Sequence, residues 1–204
     1  YQSAWLKTHH PAAFMAGVLT HDPGMYPKRL MLDEARQMGV GIAPLDINKS
    51  SNEYHVERTL DGDSIRIAFS TVAGISEKEI ASIITGQPYI DLADFYRRSG
   101  ASVPVIENLI LTGAFDSIHG NQRDLLLHFN DLQKSPVAHL PGSQLTFGFA
   151  PPALESSGLA PMNSAEKVRS EVERLGMDVT QYMLSFYSEF LNAIGAVKSS
   201  DLLT

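Results

Sequence analysis

The stretch Phe69–Thr85, FSTVAGISEKEIASIIT, constrains the fold more than any other part of the chain. Its middle, Val72-Ala73-Gly74-Ile75-Ser76, reads as a short turn between two apolar-periodic arms. Ile75, Ile80, Ile83 and Ile84 recur behind it at helical spacing. A helix is therefore expected to open at about Ser76, with Glu79 three residues on in the capping-box pattern. Gly74 lets the backbone turn tightly or approach something closely. Such a turn aims backbone N–H groups outward at a helix N-terminus, which is a ready anion site. An ordinary loop leading into an amphipathic helix would satisfy the same pattern.

A second unit of this kind follows. Short helices are expected over Leu92–Arg98 and Pro104–Leu111, with Pro104 suited to a first helical turn. The latter ends in Leu109-Ile110-Leu111-Thr112-Gly113-Ala114-Phe115-Asp116, again an apolar helix end and a glycine turn, before a helix over about Asn121–Leu132. Two such turns in series are built like paired helix-hairpin-helix modules, which grip the phosphate backbone of duplex DNA. The residues expected at that grip are Ala73, Gly74, Ile75, Ser76 and Lys78 in the first turn, and Thr112, Gly113 and Ala114 in the second.

Charge gives this reading little help. Nearby cations are limited to Lys78, Arg97, Arg98 and Arg123, and Glu77 and Glu79 flank the first turn. The net charge of −7 argues against a dedicated nucleic-acid binder, since phosphate contacts need local positive charge. No aromatic residues interleave with basic ones, so a single-strand stacking platform is not indicated.

Upstream, residues 1–20 read as two short helices, the second opened by Pro11, with Trp5, Leu6, Phe14, Val18 and Leu19 as the buried stripe. His9, His10 and His21 match no zinc spacing and read as solvated. His21-Asp22-Pro23-Gly24 is a turn. A third helix is expected over Lys28–Met38, with Leu30, Met31, Ala35 and Met38 inward and Gly39 as its stop. Val40–Ala43 is a short strand ended by Pro44. Tyr54, Val56, Ile65, Ile67 and Phe69 then alternate like strands around the turn Asp61-Gly62-Asp63. Those two aspartates could hold magnesium, but Asp-Gly between alternating runs is a hairpin signal, and a hairpin tip is a poor place to fix a metal.

Residues 134–163 are rich in Pro, Gly, Ser and Ala, without a helical or strand period, and read as a linker that need not be ordered. Within them, Gln144-Leu145-Thr146-Phe147-Gly148-Phe149 clusters apolar residues in a polar setting. The segment either packs back on its own domain or docks on another protein. Ser164 is expected to cap a helix through Leu175, stopped by Gly176. Thr180–Ala193 is expected to be a helix apolar on more than one side, hence buried or covering a neighbour. Cysteine is absent, which excludes disulfides and thiolate metal sites and fits a reducing compartment. No run approaches the length of a membrane span. Tyr1 rather than Met stands first, already inside an expected helix, which suggests a piece of a longer protein.

The order of these pieces resembles the bacterial replicative DNA polymerase family, that of the polymerase III alpha subunit. Ala4-Trp5-Leu6-Lys7 with His10-Pro11-Ala12-Ala13-Phe14 is similar to its fingers segment, and Pro44-Leu45-Asp46-Ile47-Asn48 resembles its Pro-Pro-Asp-Val-Asn signature. Ile65–Phe69 sits where the family enters its first helix-hairpin-helix, with Ser70 and Ser76 where glycine is more usual. Glu107 through Ser117 matches the second hairpin. Glu173 through Val179, followed by Tyr182-Met183-Leu184, resembles the error-prone branch rather than the housekeeping replicase.

The resemblance implies a mostly α fold with a small β element: the end of a fingers domain (1–62), a tandem helix-hairpin-helix domain (63–133), a linker (134–163), and C-terminal helices (164–204) leading toward an oligonucleotide-binding barrel. It implies a cytoplasmic, DNA-directed polymerase acting in damage-induced translesion synthesis. That enzyme's magnesium-dependent catalytic aspartates would lie upstream, leaving this stretch without catalytic or metal-binding residues of its own. Partners implied are duplex DNA, the remaining polymerase domains, and a sliding clamp bound through Gln144, Leu145, Phe147 and Phe149, although Gly148 separates two phenylalanines that the family keeps adjacent. Two alternatives stand beside it: a non-catalytic helix-hairpin-helix module of a repair protein, and a helical interaction domain with no DNA role.

Overall fold

A computed structural model describes residues 1–21, 24–60, 62–134 and 153–197. Three helices come first: α1 (Gln2–His9), α2 (Pro11–His21) and α3 (Lys28–Gln37). A three-stranded sheet follows, made of β1 (Gly41–Ala43), β2 (His55–Thr59) and β3 (Gly62–Arg66) in the order β1-β3-β2. β1 runs parallel to β3, with Ile42 opposite Ile65, and β2 runs antiparallel, with Val56 opposite Ile65. The chain continues through a 3-10 turn (Phe69–Thr71), α4 (Glu77–Gly86), α5 (Leu92–Ser99), α6 (Val103–Leu111), α7 (Gln122–Lys134) and α8 (Ser164–Leu175). A second 3-10 turn (Met183–Tyr187) and α9 (Ser188–Ala193) complete the described part. The fold is mostly α with a small β element, as the sequence implies.

β3 is the central strand, paired along both edges, and its successive residues Ser64, Ile65 and Arg66 are all buried, so this end of it is covered on both faces. The buried Arg66 guanidinium is satisfied by Glu57 on the neighbouring strand, Nε to Oε2 at 2.7 Å. Burial opposes charge on Glu57, but Arg66 and Lys49 together outweigh it and hold its carboxyl below the usual range.

One apolar cluster runs through the described chain, from Ala12, Met15 and Leu19 on α2 to Leu175 at the end of α8 and Met177 and Val179 beyond it. Its centre is aromatic. Phe95 meets Tyr89 and Phe115 edge-on at 4.8 and 5.2 Å, which joins α5 to the turn after α6, and Tyr96 meets Phe129 of α7 at 5.3 Å. The Ile47 N–H donates to the Ala114 carbonyl at 2.8 Å, so the loop after β1 is tied to the same turn.

Several details differ from the sequence reading. Trp5 and Leu6 are exposed, and no residue of α1 is buried; the buried positions lie on α2 as Ala12, Met15, Ala16 and Leu19. Trp5 instead lies against the rings of His9 and His10, at 4.6 and 5.7 Å. On α3 the inward face is Met31, Leu32 and Ala35, while Leu30 is exposed. The β-hairpin turns one residue earlier than expected: Thr59 pairs with Gly62, so Gly62 and Asp63 belong to β3. Asp22, Pro23 and Asp61 lie outside the described residues.

Asn163, not Ser164, caps α8, in a reciprocal capping box with Glu166. Asn163 precedes the helix proper, and its Oδ1 accepts the Glu166 N–H at 2.9 Å. The described end of the linker, 153–163, is fastened to α7, with the Ser157 N–H at 3.1 Å from Asp124 Oδ1 and Asn121 donating to the Leu159 carbonyl at 3.2 Å. The segment expected as one helix over Thr180–Ala193 is a 3-10 turn followed by the six-residue α9, and neither contains a buried residue. Phe190 and Ile194 are 62% and 61% exposed. The 3-10 turn faces α8 across an open cleft lined by Val168, Val172, Met183 and Phe186, and a helix of six residues has little stability of its own.

Candidate nucleic-acid interface

The first turn is built from its cap outward. Ser76 has extended backbone angles, and its Oγ accepts the Glu79 N–H at 3.3 Å. In return the Ser76 N–H donates to Glu79 Oε2 at 2.9 Å, and the Ser76 hydroxyl donates to the same oxygen at 2.6 Å. This is the reciprocal box that the Ser-x-x-Glu spacing predicts. Gly74 has a φ of +78°, where an L side chain is strained, while nothing crowds the position that its Cβ would take. Conformation, rather than crowding, calls for glycine here.

The turn is anchored underneath. Val72 is buried, and Ile75 is half-buried against the core. The Ala73 N–H donates to the Arg174 carbonyl at the end of α8 at 2.9 Å, and the Ala73 carbonyl accepts Asn108 Nδ2 of α6 at 3.0 Å. Ala73, Gly74, Ser76 and Lys78 are exposed. The N–H groups of Gly74, Glu77 and Lys78 find no acceptor among the described residues. They form a small cluster of free donors at the N-terminus of α4.

Glu79 also crosses to the next helix. Its Oε1 accepts the N–H of Ser102, the N-cap of α6, at 2.9 Å. The Ser76 hydroxyl, opposed by partial burial and reinforced by the Ser102 and Ser76 N–H groups, brings the Glu79 pKa down to about 2. The capping pair was legible from spacing. The Ser102 contact, between residues 23 apart in sequence, has no local signal.

The second turn has a different structure. Thr112 is the C-cap of α6 and Gly113 follows with a φ of +77°. The Thr112, Gly113 and Ala114 N–H groups all donate back to carbonyls of α6, those of Asn108, Ile110 and Leu109, at 3.0, 3.1 and 2.9 Å. Thr112 Oγ1 is committed to the Asn108 carbonyl at 2.8 Å. Thr112 and Ala114 are buried, and a Cβ on Gly113 would meet Asp116 Oδ2 at 3.1 Å. The amides here close a helix end rather than face outward.

Three of the four cations near these turns are committed as well. Arg97 and Arg98 pair with Asp94 at 3.2 and 2.6 Å. Arg98 also donates to the Pro88 carbonyl at 3.3 Å and lies 4.9 Å from the Tyr89 ring centre. Burial raises Asp94, but the Ile90 N–H and both arginines prevail and hold its carboxyl below the usual range. Arg123 pairs with Glu166 at 2.8 Å. Among the described residues Lys78 has no ion pair. Gln144, Leu145, Phe147 and Phe149 lie outside the described residues. No cluster of His, Asp or Glu able to hold a metal occurs among the described residues, and no helix there is long and apolar enough to cross a membrane.

A family model described as a helix-hairpin-helix motif matches residues 39–125, a range that contains both turns. An error-prone DNA polymerase of Bdellovibrio bacteriovorus is 32% identical over 199 residues, covering 95% of this chain. The chain belongs to the bacterial DNA polymerase III alpha family. Its likeness extends to both branches of that family. An error-prone DNA polymerase of Corynebacterium diphtheriae is 30% identical over the full chain, and the DNA polymerase III subunit alpha of Vibrio cholerae is 32% identical over 92% of it. The chain spans 19%, 18% and 17% of the lengths of these three relatives.

Proposed function

We propose that the hairpin Val72–Ser76 binds the phosphate backbone of duplex DNA, as one part of an error-prone DNA polymerase. The observation that carries this reading is the pairing of an exposed, positive-φ Gly74 with three free N–H donors, inside the segment matched by the helix-hairpin-helix family. Lys78 adds the adjacent charge. Gly113 serves the site indirectly, by closing α6 and turning the chain toward α7. The contact is to backbone rather than bases, so it is independent of sequence and sensitive to salt.

In the longer polymerase, phosphoryl transfer and its magnesium belong to the catalytic domain, and Gln144, Leu145, Phe147 and Phe149 supply a sliding-clamp contact. Unchanged clamp affinity after Gln144→Ala with Phe147→Ala would remove the clamp part of this reading. For the DNA part, titration with a duplex at several salt concentrations is decisive. Binding that weakens with salt is expected, with Lys78→Ala lowering the salt slope by about one. No binding even at low salt would sink the DNA assignment for this chain.

A further inference from the structure

Glu79 is misplaced if electrostatics alone governs this site. It puts a carboxylate beside free amides that are read as phosphate donors, and like charges repel. Its bonding suggests a different role. One oxygen takes the N–H and hydroxyl of Ser76, and the other takes the N–H of Ser102 at the start of α6. Farther along α6, Asn108 holds the carbonyl of Ala73 on the other side of Gly74. The hairpin is thus fixed to α6 at two points that bracket Gly74, and α8 holds it at a third through the Arg174 carbonyl.

We propose that Glu79 is a positioning residue: by holding Ser76 and Ser102 together it fixes the hairpin against α6, so that the amides of Gly74, Glu77 and Lys78 converge on one phosphate. This rests on the duplex-binding reading above. The capping box alone would stabilise α4 without fixing its N-terminus relative to anything else. The bond to Ser102 supplies that reference, and preorganised donors bind an anion better than donors that must first be ordered.

Ser102 allows the cross-tie to be removed separately from the cap. Its φ is −71°, which proline adopts, so Ser102→Pro deletes the N–H that Glu79 accepts and leaves the Ser76–Glu79 box intact. Ser102→Ala keeps the N–H, removes only the smaller contribution of the Ser102 hydroxyl to Glu79, and is the control. Duplex affinity is read by anisotropy at two salt concentrations, with folding checked by circular dichroism. Ser102→Pro is expected to bind about fivefold more weakly with an unchanged salt slope, and Ser102→Ala to match the parent chain.

Glu79→Gln is a second variant, independent of whether Ser102→Pro folds. It keeps a residue that suits a capping box but has one acceptor oxygen in place of two. Positioning predicts weaker binding for it, although a negative charge has been removed next to a phosphate. Tighter binding by Glu79→Gln, or equal binding by a folded Ser102→Pro and by Ser102→Ala, would overturn the proposal while leaving duplex binding in place. Failure of the parent chain itself to bind any duplex would remove the duplex-binding reading instead, and this proposal with it.

Discussion

Glu79 is a partly exposed carboxylate whose pKa lies near 2 because hydrogen bonds from Ser76 and Ser102 favour its charged form. Folding therefore depends on its ionisation in a definite window. The folded value lies below the ordinary glutamate value of 4.5, so the stabilisation is present above about 4.5 and is lost as pH falls toward about 2. Urea unfolding of the parent chain and of Glu79→Ala should differ at pH 6 and converge as pH approaches 2. A difference that persists at pH 2 would mean that the side chain acts through packing and not through its charge. Ser76→Ala tests the other half of the box, with an expected loss of about 1 kcal/mol at neutral pH.

Elements were legible where the signal was local. The cap of α4, the proline in the first turn of α6 and the glycine stop of α8 are set by residues within a turn of one another, and all are found where spacing puts them. Faces were less legible, because a stripe shows that a side is apolar and not which partner it meets. Trp5 and Leu6 lie on such a stripe, yet α1 buries nothing, since α2 presents Met15 and Leu19 to the core. The second turn is the sharpest case. Leu109–Asp116 carries the same apolar–glycine pattern as the first turn, but its amides point back into α6, and sequence cannot distinguish a C-cap from a donor cluster on that pattern alone.

The apolar tail misleads in the opposite sense. Its side chains promise burial, and the described fold leaves most of them exposed, Phe190 and Ile194 among them. The consequence for stability is a large contrast between two phenylalanines. Phe95→Ala removes a fully buried ring from an aromatic cluster and is expected to cost about 3–5 kcal/mol. Phe190→Ala should change the unfolding free energy of this chain by no more than about 0.5 kcal/mol. A loss at Phe190 comparable to that at Phe95 would show that the tail packs in solution against the rest of the chain.

At the scale of the whole molecule, the hairpin depends on the far end of the chain. The Ala73 N–H ends on the Arg174 carbonyl, so α8 is one wall of the site although the two residues lie 101 apart in sequence. What seats α8 is a buried polar clasp. Glu171 is almost fully buried and accepts the Val179 N–H at 2.7 Å and the Thr180 N–H at 3.0 Å, while Arg36 of α3 donates to the Asp178 and Val179 carbonyls at 2.6 and 3.0 Å. Burial is the main cause that raises the Glu171 carboxyl above its ordinary value, against the pull of those amides. Glu171→Ala leaves both N–H groups without their acceptor and is expected to cost about 1–3 kcal/mol. The loss should be felt at a distance. Loosening the turn after α8 frees the Arg174 carbonyl, so the Ala73 amide should exchange its hydrogen faster while amides inside α4 keep their protection. Duplex affinity should fall together with that exchange, because the hairpin loses a wall and none of its donors. Faster exchange spread evenly over the whole chain would instead mean that the clasp supports global stability alone, and that the hairpin takes its shape from α6 without help from α8.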